Sequence, residues 1–106
     1  MERGRNDDAI PLLEKALVLD PGLADGYHYL GLAILSGKGD DRKALYNFLS
    51  ALSLDSTNAD ACLGAGMCYN HLGDTLAMRP YLAKYLELKP SSSNSRAVRR
   101  LLHLPR

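Results

Sequence analysis

The chain contains two similar stretches, LDPGLADGYHYLG from Leu19 to Gly31 and LDSTNADACLGAG from Leu54 to Gly66, which lie 35 positions apart. In each stretch Leu-Asp ends one apolar run and Ala-Asp begins the next. The residues between these pairs include proline, glycine, serine and asparagine, which favour turns. We call this boundary between two apolar runs a seam. Its recurrence at this interval indicates that one helix-turn-helix unit is repeated.

The similarity extends well beyond the two seams, because small and large side chains recur in register three times. The positions are Ala9, Leu13, Ala16 and Pro21, then Ala44, Phe48, Ala51 and Ser56, then Met78, Leu82, Tyr85 and Pro90. The first shift is 35 residues and the second is 34. The extra residue falls in the turn SGKGDD at 36–41, since a surface turn accepts an insertion at little cost.

Within each unit the apolar spacing is helical. Tyr27, Leu30 and Ile34 lie at positions i, i+3 and i+7, which share one face of an α-helix. Glycine in a helix interior costs about 1 kcal/mol relative to alanine, so a glycine on such a face needs a packing reason. We therefore expect helix axes to approach closely at four small residues. These are Gly31, Ala44, Ala51 and Gly66.

The sequence predicts six helices, at approximately 7–19, 24–36, 41–53, 59–71, 75–88 and 94–103. Two of them contain a proline. Pro11 would lie harmlessly in the first turn if Asp8 caps its helix. Pro80 lies deeper in its helix, so we expect a mild kink there.

These residues resemble the tetratricopeptide repeat, whose pattern is W-x2-L-G-x2-Y…A-x3-F…P over about 34 residues. The matching positions are Leu30-Gly31 with Ile34, Gly66 with Tyr69, Ala44 with Phe48, Ala9 with Leu13, and the terminating Pro21 and Pro90. The resemblance covers roughly residues 4–90. It implies an all-α fold, a right-handed superhelix of antiparallel helix pairs. The expected single domain, 1–106, comprises the second helix of a first repeat (4–23), repeats at 24–58 and 59–92, and a capping helix (93–106).

The chain also departs from the pattern. Tyr27 and Cys62 stand where the family prefers tryptophan, and Ser56 replaces a proline. Met78 and Tyr85 are large at positions that hold alanine in the preceding copies. Larger groups there would hold the next helix further away, which suits the last repeat of a stack and its cap.

In proteins that this chain resembles, the first helices of successive repeats line a concave groove that receives a peptide or a helix. Carried over by position, the lining residues are Asp25, His28, Tyr29, Leu32, Leu35, Ser36, Asp60, Leu63, Met67, Asn70 and His71. We expect an apolar ligand group near Leu32, Leu63 and Met67, because some family members hold a terminal carboxylate with basic and amide residues that are missing here. The alternative is that these side chains only pack within the superhelix.

No grouping of residues suggests catalysis, a metal or a cofactor. Gly64 and Gly66 lie within an apolar helix rather than in a phosphate-binding loop, and the three histidines are isolated in sequence. Cys62 and Cys68 are about 9 Å apart along one predicted helix, too far to form a disulfide with each other. The sequence thus favours a non-catalytic interaction module, an adaptor that binds another protein.

A self-associating scaffold is the chief alternative. The helix at 7–19 lacks the helix that would precede it in a complete array, so we expect Ile10, Leu13 and Leu17 to be short of burial. Covering such side chains is worth about 1.5–3 kcal/mol each. Two explanations stay open at this point: a native homodimer through this end, or a fragment of a longer array.

The tail provides a third hypothesis, nucleic-acid binding through Arg96, Arg99 and Arg100. We do not favour it, because the arginines lack interleaved aromatic residues and a polar outer face is usual for a cap. We expect four residues of the cap to face the last repeat, Ala97, Val98, Leu101 and Leu102, whereas the arginines and His103 face water. No segment is apolar enough to span a membrane, and no signal peptide is evident, so we expect a cytoplasmic protein, or a periplasmic one if the chain is a fragment.

Overall fold

The computed structural model describes residues 3–37 and 39–103, with side chains from Ile10 onward except at position 24. Six α-helices and no strand occur within these ranges. The helices are α1 (Arg3–Leu19), α2 (Ala24–Gly37), α3 (Asp41–Leu54), α4 (Ala59–His71), α5 (Thr75–Leu88) and α6 (Ser95–Leu101). Each helix packs on the next one along the chain, and α2 also contacts α4. The predicted all-α helical-repeat fold is confirmed.

Short polar side chains begin three of the helices. Asp40, Asn58 and Asp74 each accept a hydrogen bond from a backbone N–H three residues further on, with donor–acceptor distances of 3.0–3.1 Å. Each bond satisfies one of the backbone donors that a helix start leaves unpaired. The seam at 54–66 therefore contains a helix start with a local cause, the Asn58 cap.

The start of α1 differs from the prediction. The helix begins at Arg3 rather than near residue 7, so Pro11 lies in its interior, and the expectation of a first-turn proline after an Asp8 cap is wrong. A proline removes a single N–H donor from the helix. Packing of Ile10 and Leu17 against the neighbouring helix supports the turns on both sides of Pro11.

The core forms two adjoining clusters. The first fills the space between α1, α2, α3 and α4 and is centred on the fully buried Phe48 and Ile34. The second joins α4, α5 and α6. Its buried members are Cys62, Met78, Leu82, Tyr85, Val98 and Leu102.

Glycines bring α2 close to α3, and α4 close to both α3 and α5. A Cβ atom added at Gly31 would lie 2.9 Å from Cε1 of Phe48, and one added at Gly64 would be closer still to the same ring. A Cβ atom at Gly66 would overlap the side chain of Leu82. The close approach predicted at Gly31 and Gly66 is confirmed, and Gly64 is a further position of close approach.

Ile10 and Leu17 are buried and Leu13 is half-buried, so the expectation that these three side chains are short of burial is wrong. Their face of α1 packs on α2, the helix that follows, and needs no preceding helix to cover it. The exposed apolar side chains of α1 lie on another face. They are Leu12, Val18 and Leu19, each between 71% and 81% exposed.

A hydrogen-bond network positions the last helix. The Tyr85 hydroxyl shares a hydrogen bond of 2.6 Å with the hydroxyl of Ser92, and the Ser95 hydroxyl donates to the Lys89 carbonyl at 2.7 Å. Val98 and Leu102 are buried against the last repeat as expected, but Ala97 is exposed, which corrects the prediction. The buried stripe of α6 runs through Ser95, Val98 and Leu102, and Ala97 lies to one side of it.

Both cysteines are free thiols buried in the core. Burial, with a smaller contribution from the negative charge of Asp41, raises the pKa of Cys68 to about 12. Burial also raises the pKa of Cys62, and the positive charge of Lys84 opposes that shift. Neither thiol is activated as a nucleophile. None of the helices in the described ranges has the length and apolarity that crossing a bilayer demands.

Candidate functional site

A groove of about 420 Å³ runs between α2 and α4 and reaches the segment that precedes α6. Helices α2 and α4 are the first helices of the packed pairs α2–α3 and α4–α5, and their contact brings one face of each to the same side of the molecule. The lining residues are His28, Tyr29, Leu32, Leu35, Asp60, Leu63, Gly64, Met67 and Asn94.

The floor of the groove is apolar and open. Leu32 is 41% exposed, and Leu35, Leu63 and Met67 are half-buried. Leu35 and Leu63 also touch the two core clusters, so they contribute to packing and to the groove at once. Packing within the superhelix accounts for part of their burial but leaves 41% of Leu32 exposed.

The polar end of the groove contains His28 and Asp60. The His28 side chain is 8% exposed and the Asp60 side chain is 68% exposed. Nε2 of His28 lies 3.9 Å from Oδ2 of Asp60, which is longer than a hydrogen bond. The imidazole stacks on the ring of Tyr29 with centroids 4.7 Å apart. Nδ1 of His28 is buried and has no hydrogen-bond partner among the described residues.

The structure brings together seven of the eleven predicted groove residues: His28, Tyr29, Leu32, Leu35, Asp60, Leu63 and Met67. The other four, Asp25, Ser36, Asn70 and His71, do not line the groove. Nδ1 of His71 lies 2.9 Å from Oδ1 of Asp41, so this histidine ties the end of α4 to the start of α3. That ion-pair geometry explains why His71 is held away from the groove floor.

Two lining residues were missed by sequence reasoning. Gly64 shares a helix face with Asp60, Leu63 and Met67, and that helical spacing could have revealed it. Asn94 belongs to the segment before α6, and its side chain forms no hydrogen bond that caps that helix. No local signal links Asn94 to α2, because its position depends on how α6 packs on α5.

The groove carries negative charge at one end. Among the described residues, no Lys or Arg lines it, and Asp60 is the only formally charged residue that does. An anionic ligand group would therefore meet no cation there, whereas an apolar group would meet leucine and methionine side chains. Within the described residues, no group of three or more His, Cys, Asp or Glu side chains could hold a metal ion.

Comparison with known proteins identifies the repeat. The sequence profile of the tetratricopeptide repeat matches residues 59–92. No curated protein sequence matches the chain. Among solved structures, the Arabidopsis OM64 TPR domain superposes with a TM-score of 0.86 at 20% identity, covering 92% of this chain and 81% of that domain.

Two further solved structures are similar. YrrB, described as a TPR protein with an unusual peptide-binding site, has a TM-score of 0.80 at 21% identity, over 92% of this chain and 50% of YrrB. A mutant of MamA has a TM-score of 0.75 at 26% identity, over 96% of this chain and 53% of MamA. This chain therefore spans about half the length of those two proteins.

Proposed function

We propose that this chain, which contains a tetratricopeptide repeat at residues 59–92 and has the fold of tetratricopeptide repeat domains, binds a peptide or helix of another protein in the groove between α2 and α4. The fold is typical of protein–protein interaction modules. The observation that carries the proposal is the open apolar floor, where Leu32 and Met67 from two successive repeats line one cavity. On this proposal the chain acts as an adaptor or assembly factor, without catalysis of its own.

The size and composition of the groove suit an apolar side chain or one face of a helix. Ligand sites are concave, mostly apolar, and have volumes of about 300–1,000 Å³, and this groove has about 420 Å³. Covering one large apolar side chain contributes about 1.5–3 kcal/mol. The flexible thioether of Met67 can adapt to irregular ligand shapes. An amphipathic helix or an extended segment with one buried anchor would use these features.

The likeness to YrrB adds support by analogy, because that protein is described as having a peptide-binding site. The chemistry of the groove agrees with binding rather than catalysis. The titratable residues that line it are His28, Tyr29 and Asp60. The described residues that line the groove include no serine or cysteine nucleophile. The two buried thiols belong to the core.

A double substitution in the groove tests the proposal. L32D/M67D places two charges on the apolar floor, and we expect it to abolish capture of partners from a lysate of the source organism, in parallel with the wild-type protein. A matched control is Y46D/L76D, which adds the same charges at two strongly exposed side chains outside the groove lining. Captured proteins are compared by mass spectrometry, and the fold of each variant is checked by circular dichroism and thermal melting.

Loss of the same partners from L32D/M67D alone supports the groove. If folded L32D/M67D captures every partner that the wild type captures, the groove is not the binding site. If Y46D/L76D loses those partners as well, binding depends on general surface properties rather than on the groove.

A second candidate function, self-association, rests on the exposed apolar face of α1. Leu12, Val18 and Leu19 project from this face, in place of the residues expected from the sequence. Covering them in a dimer would remove apolar surface from water. Sedimentation of the wild type beside L12D/L19D tests this: a monomer at every concentration would exclude the dimer, and a dimer that L12D/L19D abolishes would establish it.

A further inference from the structure

We propose that the occupant of the groove is a basic-apolar segment of another protein, with one apolar anchor residue and a Lys or Arg one to three positions from it. This inference rests on the proposed function and specifies the partner's chemistry. Asp60 would pair with the cation, while Leu32, Leu63 and Met67 would cover the anchor.

Charge complementarity is the first argument. Asp25 and Asp60 are the only Asp, Glu, Lys or Arg residues in α2 and α4, the two helices that form the groove. Asp60 lines the groove with its carboxylate mostly exposed, and no Lys or Arg of the described residues forms an ion pair with it. A cationic ligand would find an available partner at this end, and an anionic ligand would be repelled.

The second argument is the hydrogen-bonding state of His28. Its Nδ1 atom is buried without a partner, which is a costly state for a polar atom. A neutral imidazole has one donor nitrogen and one acceptor nitrogen. Nε2 faces the Asp60 carboxylate, which favours the tautomer that carries its proton on Nε2. In that tautomer Nδ1 is a hydrogen-bond acceptor. The unpaired Nδ1 thus favours a ligand that brings an N–H donor, as a lysine, an arginine or a peptide backbone does.

Spacing along α4 sets the distance between cation and anchor. Asp60, Leu63 and Met67 share one face of α4, and a helix rises about 1.5 Å per residue. The carboxylate therefore lies about 4.5–10 Å along the axis from the apolar side chains. A fully extended peptide advances about 3.3–3.6 Å per residue. One to three residues of an extended ligand span this distance.

Selection from a library of random peptides displayed on phage tests the inference. The library is selected in parallel on the wild type, on D60N and on the matched control E87Q, which removes an exposed carboxylate of α5 outside the groove lining. We expect peptides selected on the wild type and on E87Q to carry Lys or Arg within three positions of a large apolar residue. On D60N the apolar residue should persist while the basic enrichment disappears.

A selected peptide, labelled with fluorescein, then provides an affinity. We expect D60N to weaken its binding about two- to fivefold, the effect of one partly exposed charge pair, and E87Q to leave it unchanged. Raising the salt concentration should reduce the difference between wild type and D60N, because salt screens exposed charges. Thermal melting of D60N controls for the loss of an acidic residue from the first turn of α4.

Each outcome has a separate meaning. Selected peptides that bind in the groove but are acidic, or have no charge preference, overturn this inference and leave the proposed function intact. Absence of any peptide whose binding L32D/M67D abolishes overturns both. A wild-type protein that dimerises through the groove, with dimerisation lost in D60N, shows that the occupant is a second copy and also overturns the inference.

Discussion

Helices α2 and α4 have two faces that differ in how tightly they are packed. On the face toward α3, Gly31 and Gly64 lie so close to Phe48 that neither has room for a Cβ atom. On the groove face, Leu32 and Met67 leave an open cavity. Gly64 belongs to both faces, since it contacts Phe48 and also lines the groove. The same two helices thus pack closely where side chains are missing and leave an open cavity where side chains are uncovered.

Phe48→Ala tests the closed face most directly. Phe48 is fully buried between both helices, so its loss should leave a cavity and lower the free energy of unfolding by about 3–5 kcal/mol. The matched control is Tyr46→Ala on the same helix, at a strongly exposed side chain, which should change it by less than about 0.5 kcal/mol. Urea denaturation measures both variants. Equal effects from the two would show that the closed face is not the core of the fold.

Gly64→Ala should have a smaller but still unfavourable effect. Alanine gains about 1 kcal/mol in helix propensity over glycine. Its methyl group would overlap the buried ring of Phe48, and overpacking a core costs about 1–3 kcal/mol. We therefore expect net destabilisation in urea. Gly22→Ala is the control, because a Cβ atom there meets its nearest neighbour at an ordinary contact distance of 3.6 Å.

A double-mutant cycle sharpens this test. Phe48→Leu shortens the side chain that the methyl group of Gly64→Ala would overlap. The double variant should therefore lose less free energy of unfolding than the sum of the two single losses. Additive effects would mean that Phe48 does not set the requirement for glycine.

The last prediction is a pH dependence of stability from Cys68, a buried thiol of the first core cluster. The unfolded Cys68 thiol loses its proton near its ordinary pKa of about 8.5, whereas burial raises the pKa in the folded chain to about 12. Between these values the folded chain binds more protons than the unfolded chain, so stability falls as pH rises from about 9. The slope contributed by Cys68 is at most about 1.4 kcal/mol per pH unit.

Urea denaturation at several alkaline pH values, for the wild type and for Cys68→Ala, measures this slope. The substitution should make the decline in stability shallower, whatever its effect at neutral pH. An unchanged slope would show that the Cys68 thiol ionises equally well in the folded chain. Other groups titrate in the same range, and the difference between the two proteins removes their contribution.

Much of the helical architecture could be predicted because its signals are local. Helices α4 and α5 have the bounds expected from sequence, 59–71 and 75–88. Their starts follow Asn58 and Asp74, whose side chains bond to nearby backbone N–H groups. The sequence did not predict correctly how far the apolar face of α1 is buried. Helical spacing identified the apolar face with Ile10 and Leu17, but spacing does not say which neighbour covers a face.

The groove, too, has features that the local sequence determines and features that it does not. The sequence by itself determined that α2 and α4 carry apolar stripes in equivalent register, because a helix repeats every 3.6 residues and the pattern depends only on neighbours along the chain. Only the tertiary structure decided that Asn94 joins the groove, that His71 turns to Asp41, and that His28 is left without a partner for Nδ1. These features join residues far apart in sequence, and their positions follow from how whole helices pack rather than from local spacing.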